Sequence, residues 1–233
     1  MVLSDMPEGG PLLAWETSTE DGVVCLGSAG DVIASARFRT VKGHAGWLMP
    51  LVDSTLKGVG VDARDLGAIA AGIGPGGFTG VKVGVATAKA MAYALGVPLV
   101  GVPTLDLMAA HAPKASDPVL ACIDARQGLL YAAGYDVSGQ VPRRLTEQAC
   151  VSTAEAARLA AGFSSVRLTL AGFVPPELRQ ECERLGLSTQ AAAIDAPGFP
   201  SAATLLQAAS GMLERGEAGD AFSVVPVYLK KPV

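Results

Sequence analysis

The stretch at residues 71–84, AGIGPGGFTGVKVG, limits what this chain can fold into more than any other. Four glycines and a proline fall within residues 72–77. An apolar run, residues 66–73, precedes them, and a run of small apolar residues, 78–95, follows. The first run has the length of a buried strand, the second that of a helix. A strand that ends in a glycine-rich turn and opens straight into a helix leaves backbone N–H groups at the positive end of the helix dipole, an arrangement suited to phosphate. The same helix carries Gly80, Gly84, Ala88 and Ala92 at every fourth position, so one face is almost bare of side chains. Glycine inside a helix costs about 0.5–1 kcal/mol relative to alanine. Two of them call for a close neighbour. The expectation is that a second helix approaches this face: the segment 47–59 of the same chain, the equivalent helix of another subunit, or both. Residues 81, 85, 91 and 95 are then left to cover the sheet.

The rest of the chain reads as alternating elements. Strands are expected at 11–16, 23–27 and 32–38, followed by an amphipathic helix over 47–59 that kinks or begins at Pro50. Next come strand 66–73, helix 78–95, strand 98–102 and helix 104–111. Residues 112–118, APKASDP, form a break. The order then restarts: a hairpin at 119–124 and 130–135, a weaker third strand at 144–150, helix 153–161, strand 166–171, helix 175–185, strand 189–194 and helix 201–215. Two βββαβαβα copies without visible sequence likeness are a repeat of architecture. The expected fold is α/β with two actin-like lobes, 1–112 and 113–233, the second degenerate.

Bulk properties exclude several classes. Half of the 233 residues are hydrophobic, 17% are charged, and the formal net charge is −4. No strong positive field draws such a chain to nucleic acid. Cys25, Cys122, Cys150 and Cys182 show no C-x-x-C pattern and read as free buried thiols of a reducing compartment. MVLSDMPEGGP has neither a basic n-region nor an apolar h-region, so no signal peptide is expected. No apolar run has membrane-spanning length. The expectation is a soluble cytoplasmic protein.

Several segments carry a resemblance. LLAWETSTEDGVVCLG resembles the opening strand pair of the actin, Hsp70 and sugar-kinase superfamily. HAGWLMPLVDSTL, GIGPGGFTGVKVGVATAKAMAYALGVPLVGVPTLD, IDARQGLLYAAGYD and the closing PVYLKKP together resemble the TsaB family, formerly YeaZ, a glycoprotease-like group. The resemblance is dense from residue 12 to 136. It implies a non-catalytic scaffold or activator for a TsaD-like subunit that adds threonylcarbamoyl to adenosine 37 of ANN-reading tRNAs. It also implies a TsaE-like ATPase as a further partner, tRNA reached through the assembled complex, and a homodimer when the chain is alone.

Catalytic constellations are sparse. Related catalytic proteins hold a metal with an H-x-x-x-H pair, and in their register those positions are Thr104 and Met108 here, poor ligands for a hard or borderline ion. His44 and His111 lie on different expected helices, so no metal site is expected. His111 reads as a helix C-terminal residue placed against the dipole, and His44 as a capping, packing or interface residue. No G-x-S-x-G elbow is present. Gly72, Gly74 and Gly77 satisfy G-x-G-x-x-G, but no acid follows at the end of the next strand, and Gly80-Val81-Lys82 does not complete a Walker loop.

Glu16, Thr17, Ser18, Gly74, Gly76, Gly77 and Asp124 are the candidates for a vestigial nucleotide site. Glu16 stands where many superfamily members have aspartate. Hydroxyls in such a turn serve either phosphate or local hydrogen bonds, and Asp124 and Arg126 at a hairpin are equally consistent with a structural turn. Family members usually carry an acid two positions before Tyr131, where this chain has Leu129. No cofactor is expected beyond weak nucleotide binding, including at a subunit interface. The interface candidates are His44, Trp47, Leu48, Leu51, Gly80, Gly84 and Ala88. The alternative is an independent ATP-binding kinase or ATPase of the same fold. A peptidase, suggested by the older family name, lacks a nucleophile–base pair.

Overall fold

The computed structural model describes residues 9–29, 31–39, 44–113, 117–191 and 201–230. Two sheets organise them. The first is built from β1 (Leu12–Glu16), β2 (Asp21–Ser28), β3 (Asp31–Arg39), β4 (Ala68–Gly72) and β5 (Leu99–Val102), in the order β3-β2-β1-β4-β5. The first three strands pair antiparallel, and β1, β4 and β5 run parallel. The second contains β6 (Val119–Asp124), β7 (Leu129–Asp136), β8 (Arg143–Arg144), β9 (Ala149–Ser152), β10 (Arg167–Gly172) and β11 (Ser188–Ala191). Its order is β11-β10-β6-β7-β8, with β9 also on β7. The antiparallel β6–β7 pair and the parallel β6–β10–β11 run repeat the first sheet's plan. The expected duplication is therefore present in the pairing.

Helices cover these sheets: α1 (His44–Gly58), α2 (Phe78–Leu95), α3 (Thr104–His111), α4 (Thr153–Ala161), α5 (Pro176–Arg184) and α6 (Ala202–Glu214). Strands buried on both faces read as continuous apolar runs, and β6, VLACID, is buried over its first five residues. Its alternate residues enter different cores. Ala121 and Ile123 join Leu105 and Met108 of α3, while Leu120 and Cys122 join Ala156 and Ala160 of α4 and Leu178 of α5. In the first sheet, Leu13, Trp15, Leu26 and Ile69 pack with Leu48, Val52 and Leu56 of α1.

The division of the chain differs from a cut after residue 112. One compact unit takes the described residues up to Pro103 together with Ser201–Val227, and the other takes the remainder from Thr104, including Tyr228. The reason lies in two amphipathic helices. α6 packs on β1, β2, β3 and β5 through buried Leu205, Leu206 and Ala209, and Gly27 leaves space beside Leu206. α3 packs on β6 and β7. Each sheet is thus closed by a helix from the other half of the sequence.

Two further expectations are modified, and a third is only partly covered by the described residues. α1 starts at His44 and runs through Pro50. The expected strand 144–150 is split, because Thr146 accepts the Gly134 N–H through its hydroxyl (2.8 Å) and breaks the backbone ladder between β8 and β9. Of the expected strand 189–194, residues 192–194 lie outside the described residues.

A polar hub ties α3 to the second sheet. The Asp106 carboxylate accepts from Tyr135 Oη (2.7 Å), Arg144 Nε (2.9 Å) and Arg144 Nη2 (2.7 Å). Burial, and then the neighbouring Asp106 charge, push the Tyr135 phenol above its ordinary value of 10.0. The unfolded phenol therefore releases its proton first as the pH rises. The stability from this group is whole below about pH 10 and is lost as the pH climbs toward the folded value. Tyr135→Phe is expected to lower the unfolding free energy by about 1 kcal/mol at neutral pH. It should also decline less steeply than the parent above about pH 10 in urea denaturation. Thr55 offers a second test. Its Oγ1 is buried in α1 without a hydrogen-bond partner among the described residues. Thr55→Val keeps the shape and removes the unmatched hydroxyl, so it is expected to raise stability by about 1 kcal/mol in the same assay.

Candidate functional site

The first turn and the glycine-rich loop meet in the first unit. β1 ends at Glu16, which is fully buried, as is Thr17 behind it. The Glu16 carboxylate accepts the Ser18 N–H (2.6 Å) and fills the space beside Gly72, where any Cβ would overlap it. Thr17 Oγ1 donates to the carbonyl of Gly80 (2.8 Å), and the Trp15 indole N–H donates to that of Gly84 (3.0 Å). On the loop side, the Gly77 N–H donates to Ser18 O (2.7 Å), and a Cβ at Gly76 would overlap that same carbonyl. Gly74 has φ +88°, a conformation that favours glycine, and it is followed by a cis peptide to Pro75. Gly77 caps α2 with extended backbone and no side chain.

The fold therefore brings Glu16, Thr17 and Ser18 beside the glycine-rich loop at Gly72, Gly76 and Gly77, and Gly74 lies in the same loop. Their groups, however, satisfy one another. The Thr17 hydroxyl, the Gly77 amide and a Glu16 carboxylate oxygen each have a partner from the same unit. Asp124 belongs to the second unit and to its own hairpin. It accepts the Arg126 N–H (2.8 Å) and lies 3.4 Å from the Arg126 guanidinium. That hairpin turns through Arg126, Gln127 and Gly128, all at positive φ, and Lys230 Nζ donates to Gln127 Oε1 (2.9 Å). Thr104 and Met108, the positions of the metal-binding pair in catalytic relatives, are packed in the second unit's interior. Among the described residues, no three His, Cys, Asp or Glu side chains come together as a metal group.

The interface expectation needs correction. Gly80, Gly84 and Ala88 are buried, and what approaches Gly80 and Gly84 is the end of β1 and the residue after it, through Trp15 and Thr17. A Cβ on Gly84 would overlap Thr17 Oγ1. The bare stripe is used inside the unit, so these three residues offer no partner a surface. Leu48 is core and Leu51 is half-buried against it. The His44 side chain lies outside the described part. Trp47 is exposed, and so are Met49, Phe78, Tyr93 and Phe222, which the sequence reading did not single out. Tyr93 could have been found from its place opposite the glycine stripe on the helical wheel. Phe222 had no such signal.

With this geometry described, comparison with known proteins becomes informative. The family model described as "TsaD: tRNA N6-adenosine threonylcarbamoyltransferase" matches residues 38–214. The chain is similar to the tRNA threonylcarbamoyladenosine biosynthesis protein TsaB of Escherichia coli, with 39% identity over 127 residues, 53% of this chain and 54% of that protein. The TsaB of Bacillus subtilis is 33% identical over 124 residues, with the same shares. The solved structure of YeaZ from Pseudomonas aeruginosa superposes with a TM-score of 0.79 at 31% identity, over 94% of this chain and 100% of that one. The chain belongs to this family, on its TsaB/YeaZ branch.

The chain spans about half the length of the curated relatives it matches. A more distant structure, the Lmo2764 protein of Listeria monocytogenes (TM-score 0.51, 10% identity), shares the fold alone. The fold is the two-lobed actin-like α/β fold. No described helix is long and apolar enough to cross a membrane.

The Gly84 contact yields a direct test. Gly84→Ala is expected to destabilise the protein by roughly 1–3 kcal/mol, because the added methyl must displace Thr17. Pairing it with Thr17→Ala, which vacates the space, should recover part of the loss in a double-mutant unfolding cycle.

Proposed function

We propose that this TsaB/YeaZ chain is a non-catalytic scaffold or activator in threonylcarbamoyladenosine biosynthesis. Its catalytic companion is a TsaD-like subunit that modifies adenosine 37 of ANN-reading tRNAs. A TsaE-like ATPase joins the assembly, the tRNA is met through the complex, and the chain pairs with itself when alone, in the cytoplasm. One observation carries this reading: the first turn and the glycine-rich loop are closed on each other by the Thr17–Gly80 and Ser18–Gly77 hydrogen bonds. Their hydroxyl and amide groups serve the fold. Family membership gives the pathway, and the exposed Trp47 and Met49 of α1 give an apolar surface for a partner.

The competing reading is an independent ATP-binding kinase or ATPase. Titration calorimetry with ATP and magnesium separates the two, since tight binding and turnover by the isolated chain would favour that enzyme.

The direct experiment is reconstitution with a TsaD-like subunit, a TsaE-like ATPase, threonylcarbamoyl-adenylate and an ANN-reading tRNA. Modification is expected only when the TsaD-like subunit is present, and modification by this chain alone would overturn the reading. Trp47 is 58% exposed, so Trp47→Asp should leave the fold intact. It is expected to weaken pairing by about 10- to 100-fold.

A further inference from the structure

We draw no further inference here: the strongest candidate, the exposed surface patch where Phe222 of the 217–227 arm meets Tyr93 on the outer face of α2, carries nothing because nothing in the structure shows what covers it.

Discussion

Two hydrogen bonds from one strand to one helix set the geometry of the first unit. Trp15 on β1 and Thr17, just past the end of that strand, stand two residues apart and so share a face, about 6.6 Å from one another along the extended chain. Gly84 and Gly80 stand four apart on α2, about 6 Å along the helix axis. The two repeats nearly match, so both polar side chains reach a helix carbonyl in succession, at 3.0 and 2.8 Å. At Gly84 only a residue without a Cβ permits this approach, since Thr17 Oγ1 occupies the place of a methyl there. The conformational cost of two helical glycines is offset by this close contact and by satisfied polar groups in a dry interior. Ser18 and Gly72 lie at the ends of the same contact, which is why the turn and the glycine-rich loop are bound up with it.

This contact also explains where the sequence could and could not be read. Element order was legible because glycine and proline punctuate it and because buried strands and amphipathic helices differ in period. α2, α3, β6 and α4 fall where the spacing puts them. The glycine stripe was visible too, but a period gives a spacing and not the identity of the neighbour. The clue lay elsewhere in the chain, in a tryptophan on a strand expected to be buried and a threonine just after it, at the start of the expected turn. The destination of α6 was hidden for a related reason. Leu205, Leu206 and Ala209 form an apolar face that suits either sheet, and only the three-dimensional closure assigns it to the first. Phe222 and Tyr93 meet from distant parts of the chain, and the arm around Phe222 has no periodicity to betray it.

The second unit solves its packing with a different device. Its sheet has an interrupted third strand, and the gap is bridged by side chains: Thr146 replaces a backbone partner, and Asp106 gathers Tyr135 and Arg144. A half-buried carboxylate with several donors is a well-compensated acceptor, whereas removing it would leave the buried Tyr135 phenol without its partner. α3 carries Asp106 in its first turn, where the dipole also favours a negative charge. The hub therefore secures α3 on this sheet, although α3 follows directly from β5 of the other one. Divergence in sequence between the two copies is compatible with a shared strand order because the order depends on pairing and burial, which different side chains can meet.

A glycine-rich turn before a helix has two uses that compete. To cradle a phosphate, its amides and the nearby hydroxyls must be open to a ligand. To hold a helix rigidly against a strand, those groups must be engaged within the protein. In this chain the Ser18–Gly77 and Thr17–Gly80 bonds engage these groups within the protein, and opening them would loosen the N-terminal half of α2. Rigidity has a consequence on the opposite side of that helix. A surface fixed before association loses less conformational freedom on binding. α2 is held by β1 beneath, by α1 on one flank and by the 217–227 arm on the other, leaving one ordered outward face. The internal engagement of the turn and the order of the outer face follow from the same pair of hydrogen bonds.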